Sequence, residues 1–379
     1  MHISRAALMF CQFLLPVMKK QEKKGHYVCA CASDDPEVQA IRQAGFDVFI
    51  HGQKRTLNPF NVIKAIIRTK KILVEQRINV LICHTPLGAC VGRIAAKLAK
   101  TSHVIYFTHG MPCSPAQNPV IWFIWFVIEK FMGFFTDAII VMNSYDEKLC
   151  KRYHIVKTEK VYRIPGMGVD LEKFNINTVE GERQQILQEL DIPPEAKIIL
   201  CVAYLIKEKG IFIFQKTCQE IKDLHDDVYF LLAGMGPCMN KLKFYSSRYG
   251  LEKHFKILGW RNDINKIMRI SDVFVLPTYY FEGIPVSILE AMACYKPVIA
   301  TDHRGCEDIV QNKKTGFLIP IKQVGPLVEK ITQLVNDPQL SAKMGKAGRE
   351  HIEQHFELNY CTEKIVETLN KVIAIDRKQ

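Results

Sequence analysis

Short apolar segments alternate with longer stretches of helical periodicity along most of the 379 residues. The apolar segments include YVCACA, FDVFIH, NVLICH, HVIYFTHG and DAIIVMN in the first half, and KIILCVAYL, VYFLLAG, FKILGW, DVFVLP and PVIATD in the second. Strands that are apolar on both faces are typical of parallel sheets with helices on each side. We therefore predict an α/β fold built from βαβ units, because parallel neighbours need a crossover connection.

The chain length and a break in this pattern predict two domains. A chain of 379 residues is longer than one hydrophobic core usually supports. The break falls in RIPGMGVDLEKF, and the polar stretch that follows, up to Pro194, is interpreted as a connector. We expect two Rossmann-like domains that face across a cleft, followed by an amphipathic C-terminal helix that crosses back: residues 1–165, residues 166–355 and residues 356–379.

The start of the chain has two unusual features. Only MHISRAA precedes the first helix, so either the first strand is shortened or the true start lies further upstream. The segment AALMFCQFLLPVM looks like the apolar part of a signal peptide, but it runs into KKQEKK with no small-residue cleavage site. A first amphipathic helix fits this segment better.

The excess of positive charge lies entirely in the first half. Residues 1–165 carry 23 Lys and Arg against 11 Asp and Glu, a net charge of +12, whereas residues 166–379 carry 28 of each. A basic half suggests an anionic partner, which could be a membrane surface, a phosphorylated acceptor or nucleic acid. No nucleic-acid recognition motif accompanies the charge, so we expect no nucleic-acid partner. The 13 cysteines are scattered, which favours reduced thiols in the cytosol.

Two carboxylates stand in the largely apolar segment YYFEGIPVSILEAMACYKPVIATD. Glu282 is predicted to lie between a strand end and a helix N-terminus, with Pro285 in the first helical turn and Glu290 about two turns into the helix. The carboxyl ends of parallel strands bind ligands in α/β folds, and helix N-termini bind phosphate. Carboxylates there can accept hydrogen bonds from the paired hydroxyls of a sugar or a ribose. Alternatively, Glu282 caps the helix and Glu290 is simply solvated.

This segment resembles the signature of the family 4 retaining glycosyltransferases, which have the GT-B fold. VAYLIKEKG, LLAGMGP, ILGWRNDI and HRGCEDIV match further segments of that family in the same order. The resemblance is greatest to transferases of capsule, exopolysaccharide and lipid-linked glycan assembly. It implies transfer of a sugar from a nucleotide-diphosphate donor, either a UDP-hexose or a UDP-N-acetylhexosamine, to a glycan acceptor that is often linked to polyprenyl diphosphate.

The same resemblance implies roles for residues of the second half. Glu282 would contact the donor sugar, Glu290 would contact the ribose, and Lys209 would neutralise the leaving diphosphate. Tyr204 stands where the family usually has an arginine, and Lys207 is the nearest basic substitute. The remaining donor-site residues would act mainly through their backbones, around the diphosphate or the base: Gly210, Gly283, Ile284, Pro285, Val286, Trp260 and Arg261.

For the first half, the resemblance implies a catalytic histidine and an acceptor site. His109, in HVIYFTHGMP, would reach toward the donor sugar and the reaction centre, although a lone histidine without this resemblance would be interpreted as structural. His84 and Thr85, in CHTPLGACVGR, would line the acceptor side. Asp-x-Asp does not occur in the sequence, so we expect no metal and no other cofactor.

The aromatic stretch NPVIWFIWFVIEKFMGFF lies in the basic half. Its apolar core of nine residues is far shorter than the ~20 needed to span a bilayer. Trp122 and Trp125 are three residues apart and therefore share a helix face, which suits an anionic membrane interface. Alternatively, this helix belongs to the core. We expect a cytoplasmic protein bound peripherally to the inner face of a bacterial membrane.

Two other functions are alternatives to sugar transfer. A relative that binds a sugar nucleotide without turnover would fit the tyrosine at position 204. A nucleotide-sugar epimerase of similar fold is disfavoured by the linear order of the motifs.

Overall fold

The computed structural model describes residues 1–53, 58–176 and 181–375. The chain forms two compact units. The N-terminal unit comprises Met1–Met167 together with Asn359–Gln379, and the C-terminal unit comprises Gly168–Leu358. Each unit is built around its own parallel sheet.

The described strands of the N-terminal unit are all parallel, and β1 lies inside their sheet, between β2 and β4, although it has only two residues. The described strands are β1 (His2–Ile3), β2 (Cys29–Ala32), β3 (Asp47–Ile50), β4 (Val80–Cys83), β5 (His103–Phe107), β6 (Ala138–Val141) and β7 (Val161–Arg163). Their spatial order is β3-β2-β1-β4-β5-β6-β7. The order reverses between β1 and β4, which makes this the topological switch point of the sheet.

Helices connect these strands, as the sequence pattern predicts. They are α1 (Leu15–Lys23), α2 (Val38–Gln43), α3 (Pro59–Glu75), α4 (Pro86–Ala99), α5 (Pro119–Gly133) and α6 (Ser144–Arg152). The segment predicted as a first amphipathic helix forms a π-helical turn, Phe10–Leu14, that continues directly into α1.

The C-terminal unit repeats the same architecture with helices between parallel strands. Its elements are α7 (Glu182–Glu189), β8 (Lys197–Val202), α8 (Ile211–Ile221), β9 (Val228–Ala233), α9 (Met239–Arg248), β10 (Phe255–Gly259), α10 (Ile264–Ile270), β11 (Val273–Leu276), α11 (Val286–Ala293), β12 (Val298–Thr301), β13 (Gly316–Ile319), α12 (Gly325–Asn336) and α13 (Pro338–His355). The last helix, α14 (Leu358–Ile375), lies almost wholly in the N-terminal unit. The strand order is β10-β9-β8-β11-β12-β13, so the switch point lies between β8 and β11.

These two sheets confirm the predicted fold of two Rossmann-like domains. Two details of the prediction were wrong. The stretch interpreted as a connector contains α7, and two short strands, β7 and β13, were not predicted. All 13 cysteines are free thiols, and most are buried.

A buried ion pair fixes which face of α5 points inward. Glu129 of α5 accepts a hydrogen bond from Arg93 of α4 at 2.9 Å, and both side chains are fully buried. Trp122, Trp125 and Phe126 lie on the same side as Glu129 and pack against the core of the N-terminal unit. The two tryptophans do share a face, but that face packs against the core, which fits the alternative rather than a membrane interface formed by these two side chains.

The outward face of α5 is nevertheless apolar. Its exposed side chains are Val120, Ile121, Phe123, Ile124, Val127 and Phe131. A helix on the surface of a globular protein normally places polar residues on this side. In the described part of the chain, no helix combines the length and apolarity needed to cross a membrane.

Candidate active site

The carboxyl ends of β8 and β11 form the central part of the candidate site in the C-terminal unit. The two strands are adjacent, with Ile199 paired to Val273 and Leu200 paired to Phe274. Open α/β sheets bind ligands where the strand order reverses, at the carboxyl ends of the strands. The loops that leave these two strands carry most of the predicted donor-site residues.

Gly210 allows these two loops to touch. Its φ is +73°, and a Cβ atom added there would lie 2.0 Å from the carbonyl oxygen of Pro277. A side chain at this position would therefore clash with backbone as well as strain the left-handed conformation. This close approach places Lys209, at the end of a short 3₁₀ turn after β8, beside the loop that follows β11.

Glu282 is held by two donors from these loops. Lys209 Nζ lies 2.5 Å from Glu282 Oε1, and Thr278 Oγ1 donates to the same oxygen at 2.9 Å. The two charged side chains are only 18% and 9% exposed. A buried carboxylate is costly unless it is paired, so these contacts explain how Glu282 is tolerated at this position. Thr278 was not predicted, although it lies two residues beyond the end of β11.

The helix that follows Glu282 begins one residue later than predicted. Pro285 is the N-cap residue of α11 and precedes its first turn, so Glu290 lies little more than one turn inside the helix. Because proline has no N–H, Gly283, Ile284 and Val286 supply the backbone donors of this segment. Gly305, in the loop after β12, packs so closely that an added Cβ would lie 2.3 Å from the Gly283 carbonyl oxygen.

Glu290 has an unusual protonation equilibrium. Its side chain is half-buried, and desolvation raises the pKa of Glu290 to about 7, with the positive charge of Lys173 acting in the opposite direction. The carboxyl group is therefore divided between its neutral and charged forms near neutral pH. Groups with such shifted pKa values are often found at functional sites.

The predicted residues around the base and diphosphate differ in how free their side chains are. Arg261 is clamped by two carboxylates, with Nη1 2.5 Å from Glu189 and Nη2 2.8 Å from Asp263. The charge of its guanidinium is thus already neutralised. The predicted contact between the Arg261 backbone and the base does not need that charge and stays a prediction. Trp260 is exposed and donates its indole N–H to Asn262 at 2.9 Å.

Tyr204 and Lys207 lie in the same loop as Lys209 but have different surroundings. Tyr204 is 45% exposed in the loop after β8. Lys207 lines a separate pocket of about 440 Å³ whose other lining residues include neither Lys209 nor Glu282. Lys209 is therefore the lysine that accompanies Glu282 in this loop.

Three histidines form a row in the N-terminal unit, at the ends of three adjacent strands. His84 follows β4, His109 follows β5, and His2 lies in β1. His2 Nδ1 is 3.0 Å from His84 Nε2, and His84 Nδ1 is 2.9 Å from His109 Nε2. His2 Nε2 contacts Gln21 Oε1 at 2.7 Å. The structure thus brings His84 and His109 into contact and adds His2 and Gln21 to them.

Strand register is the signal that could have identified His2. Ile82 pairs with both His2 and Ile105, so these residues share one face of the sheet. Alternate residues of a strand point to the same side, which puts His84 and His109 on that face as well.

All three histidines are neutral at physiological pH. Desolvation lowers the pKa of His2 to about 3 and that of His109 to about 4. It also holds the pKa of His84 well below its usual value, with the Phe107 carbonyl acting weakly in the opposite direction.

Thr85 has a strained backbone beside this row. Its φ is +59° and its ψ is 139°, a region that β-branched residues rarely adopt. Its hydroxyl donates to the His84 carbonyl at 2.6 Å and accepts from the Arg5 amide at 3.3 Å. Such strain costs on the order of 1–3 kcal/mol and concentrates at functional sites. Thr85 therefore remains a strong candidate for ligand contact.

Comparisons with known proteins agree with these two units. Residues 182–351 match the family model described as glycosyl transferases group 1, and residues 9–143 match the model described as glycosyl transferase 4-like. The solved structure of Anabaena HepE in complex with UDP and glucose has the same fold, with a TM-score of 0.80, 20% identity and coverage of 94% of each chain.

Two bacterial enzymes are similar over most of their length. An Escherichia coli UDP-Gal:alpha-D-GlcNAc-diphosphoundecaprenol alpha-1,3-galactosyltransferase is 28% identical, over 88% of this chain and 86% of its own. A Campylobacter jejuni N,N'-diacetylbacillosaminyl-diphospho-undecaprenol alpha-1,3-N-acetylgalactosaminyltransferase is 27% identical, over 98% of both chains.

The fold and these matches define a glycosyltransferase with two Rossmann-like domains of the GT-B type. The chain belongs to the group 1, family 4-like glycosyltransferases and is related to enzymes that build lipid-linked polysaccharides.

Glu290 should make nucleotide binding depend on pH. If the ionised carboxylate accepts the ribose hydroxyls, the apparent affinity for UDP scales with the ionised fraction. With a pKa of about 7, that fraction rises roughly tenfold between pH 6 and pH 8, so the Kd measured by calorimetry should fall about tenfold.

Glu290→Gln is the control, because it retains the size of the side chain and removes its titration. The phosphate of UDP also titrates, but it does so equally with both proteins. Equal pH dependence of the Kd for wild type and Glu290→Gln would contradict the assignment.

Proposed function

We propose that this enzyme transfers a hexose or an N-acetylhexosamine from a UDP-linked donor, with retention of configuration, to a glycan carried on a polyprenyl diphosphate in bacterial surface polysaccharide synthesis. The observation that supports this most directly is the cluster of Lys209, Glu282 and Thr278 at the switch point of the C-terminal unit. It combines a cation for a diphosphate with a carboxylate for sugar hydroxyls.

The geometry of Lys209 suits a leaving diphosphate. In the proposed reaction the bond between sugar C1 and the β-phosphate oxygen breaks, and C1 bonds to an acceptor hydroxyl oxygen on the same face. The hydroxyl proton passes to the departing phosphate oxygen, which gives UDP and the glycosylated acceptor. An ammonium group has three donors, so Lys209 can keep its contact with Glu282 while it stabilises the growing phosphate charge.

The substrate classes are inferred from the relatives. The two enzymes described above act on undecaprenol-linked diphospho-sugars and form alpha-1,3 linkages, and the name of one includes UDP-Gal as donor. UDP-hexoses are themselves α-linked, so an alpha product corresponds to retention. The net charge of +12 on residues 1–165 suits an acceptor that carries a diphosphate.

We propose that the acceptor is reached from a membrane surface through the exposed face of α5 and the basic residues beside it. Tyr153 packs against Phe126 with ring centroids 4.9 Å apart, and the Arg152 guanidinium lies 5.5 Å from the Tyr153 ring. Apolar side chains flanked by arginine and lysine favour binding to anionic bilayers.

Helix α3 has a similar character. It exposes Phe60, Ile63 and Ile67, and the charged side chains of Lys64 and Arg68 on the same helix are also exposed. The N-terminal unit therefore offers two helices that combine exposed apolar and basic side chains.

Replacing Glu282 with Gln should abolish most of the transfer. The substitution removes the charge that pairs with Lys209 and weakens contacts that strengthen in the transition state, so kcat should fall roughly a hundredfold or more. The assay is a panel of nucleotide sugars with lipid-linked acceptors, read by mass spectrometry.

Glu208→Gln is the matched control, because Glu208 is an exposed carboxylate on the same loop that lines the other pocket. Near-wild-type turnover of Glu282→Gln would refute the site. Donor binding by the wild-type protein without any transfer would instead support the alternative of a sugar-nucleotide-binding relative.

We propose that the reaction needs no metal ion, because the sequence lacks Asp-x-Asp and Lys209 can supply the positive charge at the diphosphate. Transfer rates in excess EDTA should therefore stay within about twofold of the untreated rate. A loss of activity in EDTA that added Mg²⁺ or Mn²⁺ restores would overturn this proposal.

The exposed face of α5 should bind anionic vesicles. Phe123→Ser combined with Val127→Ser should weaken co-sedimentation with phosphatidylglycerol vesicles about tenfold, since each removes apolar surface available for burial. Raising the salt concentration should weaken the wild type as well.

Phe244→Ser is the matched control, because Phe244 is 58% exposed in the C-terminal unit, compared with 59% for Phe123. The membrane proposal fails if wild type and the double variant bind equally, or if the wild type does not bind at low salt.

A further inference from the structure

Hydrogen bonds join His2, His84 and His109 into a row. The proposed sugar-binding role of His109 does not by itself explain why the other two histidines are joined to it. The rings of His2 and His84 are nearly coplanar, with 6° between their planes and centroids 5.3 Å apart. Since the facing nitrogens are 3.0 Å apart, the rings meet edge to edge in a hydrogen bond rather than face to face.

Each link of the row must have one donor and one acceptor. A neutral imidazole carries one N–H and one lone pair, and burial keeps all three rings neutral. Once one end is fixed, every other proton position follows. The order of the row is Gln21, His2, His84 and His109.

Gln21 fixes that end. Its side-chain oxygen, 2.7 Å from His2 Nε2, can only accept, so His2 carries its proton on Nε2. His2 Nδ1 then accepts from His84 Nε2, and His84 Nδ1 accepts from His109 Nε2. His109 is left with an unprotonated Nδ1, and this atom has no hydrogen-bond partner among the described residues.

We propose that Gln21, His2 and His84 are positioning residues that fix the tautomer of His109, so that His109 offers Nδ1 as a hydrogen-bond acceptor to a sugar hydroxyl. This inference rests on the proposed function for the identity of the ligand, which can be the donor sugar or the acceptor glycan. It excludes phosphate and carboxylate oxygens as partners of Nδ1, because such anions need a donor. The ring of His109 is also held against Phe107, with centroids 4.9 Å apart and 12° between the planes.

The direct test is nuclear magnetic resonance of the wild-type protein labelled with ¹⁵N-histidine. Long-range ¹H–¹⁵N correlations distinguish a protonated Nε2 from a protonated Nδ1. We expect the Nε2–H tautomer for His2, His84 and His109. A protonated Nδ1 on His109, or a mixture of tautomers, would overturn the proposal.

His51 is an internal reference in the same spectrum. Its Nε2 lies 3.0 Å from the Ser4 carbonyl oxygen and its Nδ1 accepts from the Gln53 amide at 3.0 Å, so the backbone fixes its tautomer. In Gln21→Met the end acceptor is lost, and the tautomers of the row should become mixed while that of His51 stays unchanged. Gln21→Glu should also lose the wild-type pattern, because a buried carboxylate favours a second proton on its partner His2.

Kinetic measurements on the same variants test whether the tautomer of His109 affects the binding of a sugar hydroxyl. Loss of the end acceptor or of the neutral row should lower kcat/KM roughly twofold to tenfold in Gln21→Met and in Gln21→Glu. A rise in the donor KM identifies the hydroxyl as the donor's, and a rise in the acceptor KM identifies it as the acceptor's. Altered tautomers with unchanged kinetics would refute the role of the row.

These outcomes are separable from failure of the proposed function. The tautomer of His109 is measured without substrate, so it stands or falls independently of transfer. If the row has the expected tautomers but no sugar is transferred, the proposed function fails and the row remains a structural feature.

Discussion

The close contact between Gly210 and the Pro277 carbonyl determines where charge can be placed in the C-terminal unit. Parallel strands bring their following loops to one edge of the sheet, but side chains normally keep such loops apart. Without a side chain at Gly210, the loop after β8 packs on the loop after β11, and Lys209 meets Glu282. Neither charge would be stable there alone, because removing one partner of a buried pair leaves the other uncompensated.

The two units solve the problem of buried polar groups in different ways. The C-terminal unit pairs opposite charges, which suits a ligand that carries its own charge. The N-terminal unit keeps its histidines neutral and connects them in a row that ends at Gln21. A row of neutral histidines can bind a hydroxyl group either as donor or as acceptor. The position of each proton along the row decides which of the two it is.

Local patterns were sufficient to predict the fold and the place of Glu282 beyond the end of a strand. Apolar strands and intervening helices predict two parallel sheets, and the motif around Glu282 places it after a strand. What sequence reasoning missed depends on contacts between distant residues. Arg261 is neutralised by Glu189, 72 positions away, and His2 reaches His84 across 82 positions. Spacing along the chain contains no information on such contacts until the register of the sheet is known.

The orientation of α5 also depends on a contact between residues that are far apart in the sequence. Periodicity shows that Trp122 and Trp125 share a face, but the buried partner of Glu129 decides that this face points inward. The inward face of α5 thus packs against the core. Phe123, Val127 and Phe131 lie on the other side and are exposed, so they add nothing to the packing of the core. Contiguous apolar surface of this kind generally marks an interaction site, and natural sequences break local rules mainly where function requires it. Together with the large positive charge of this unit, this surface is the reason for proposing an anionic bilayer as the partner.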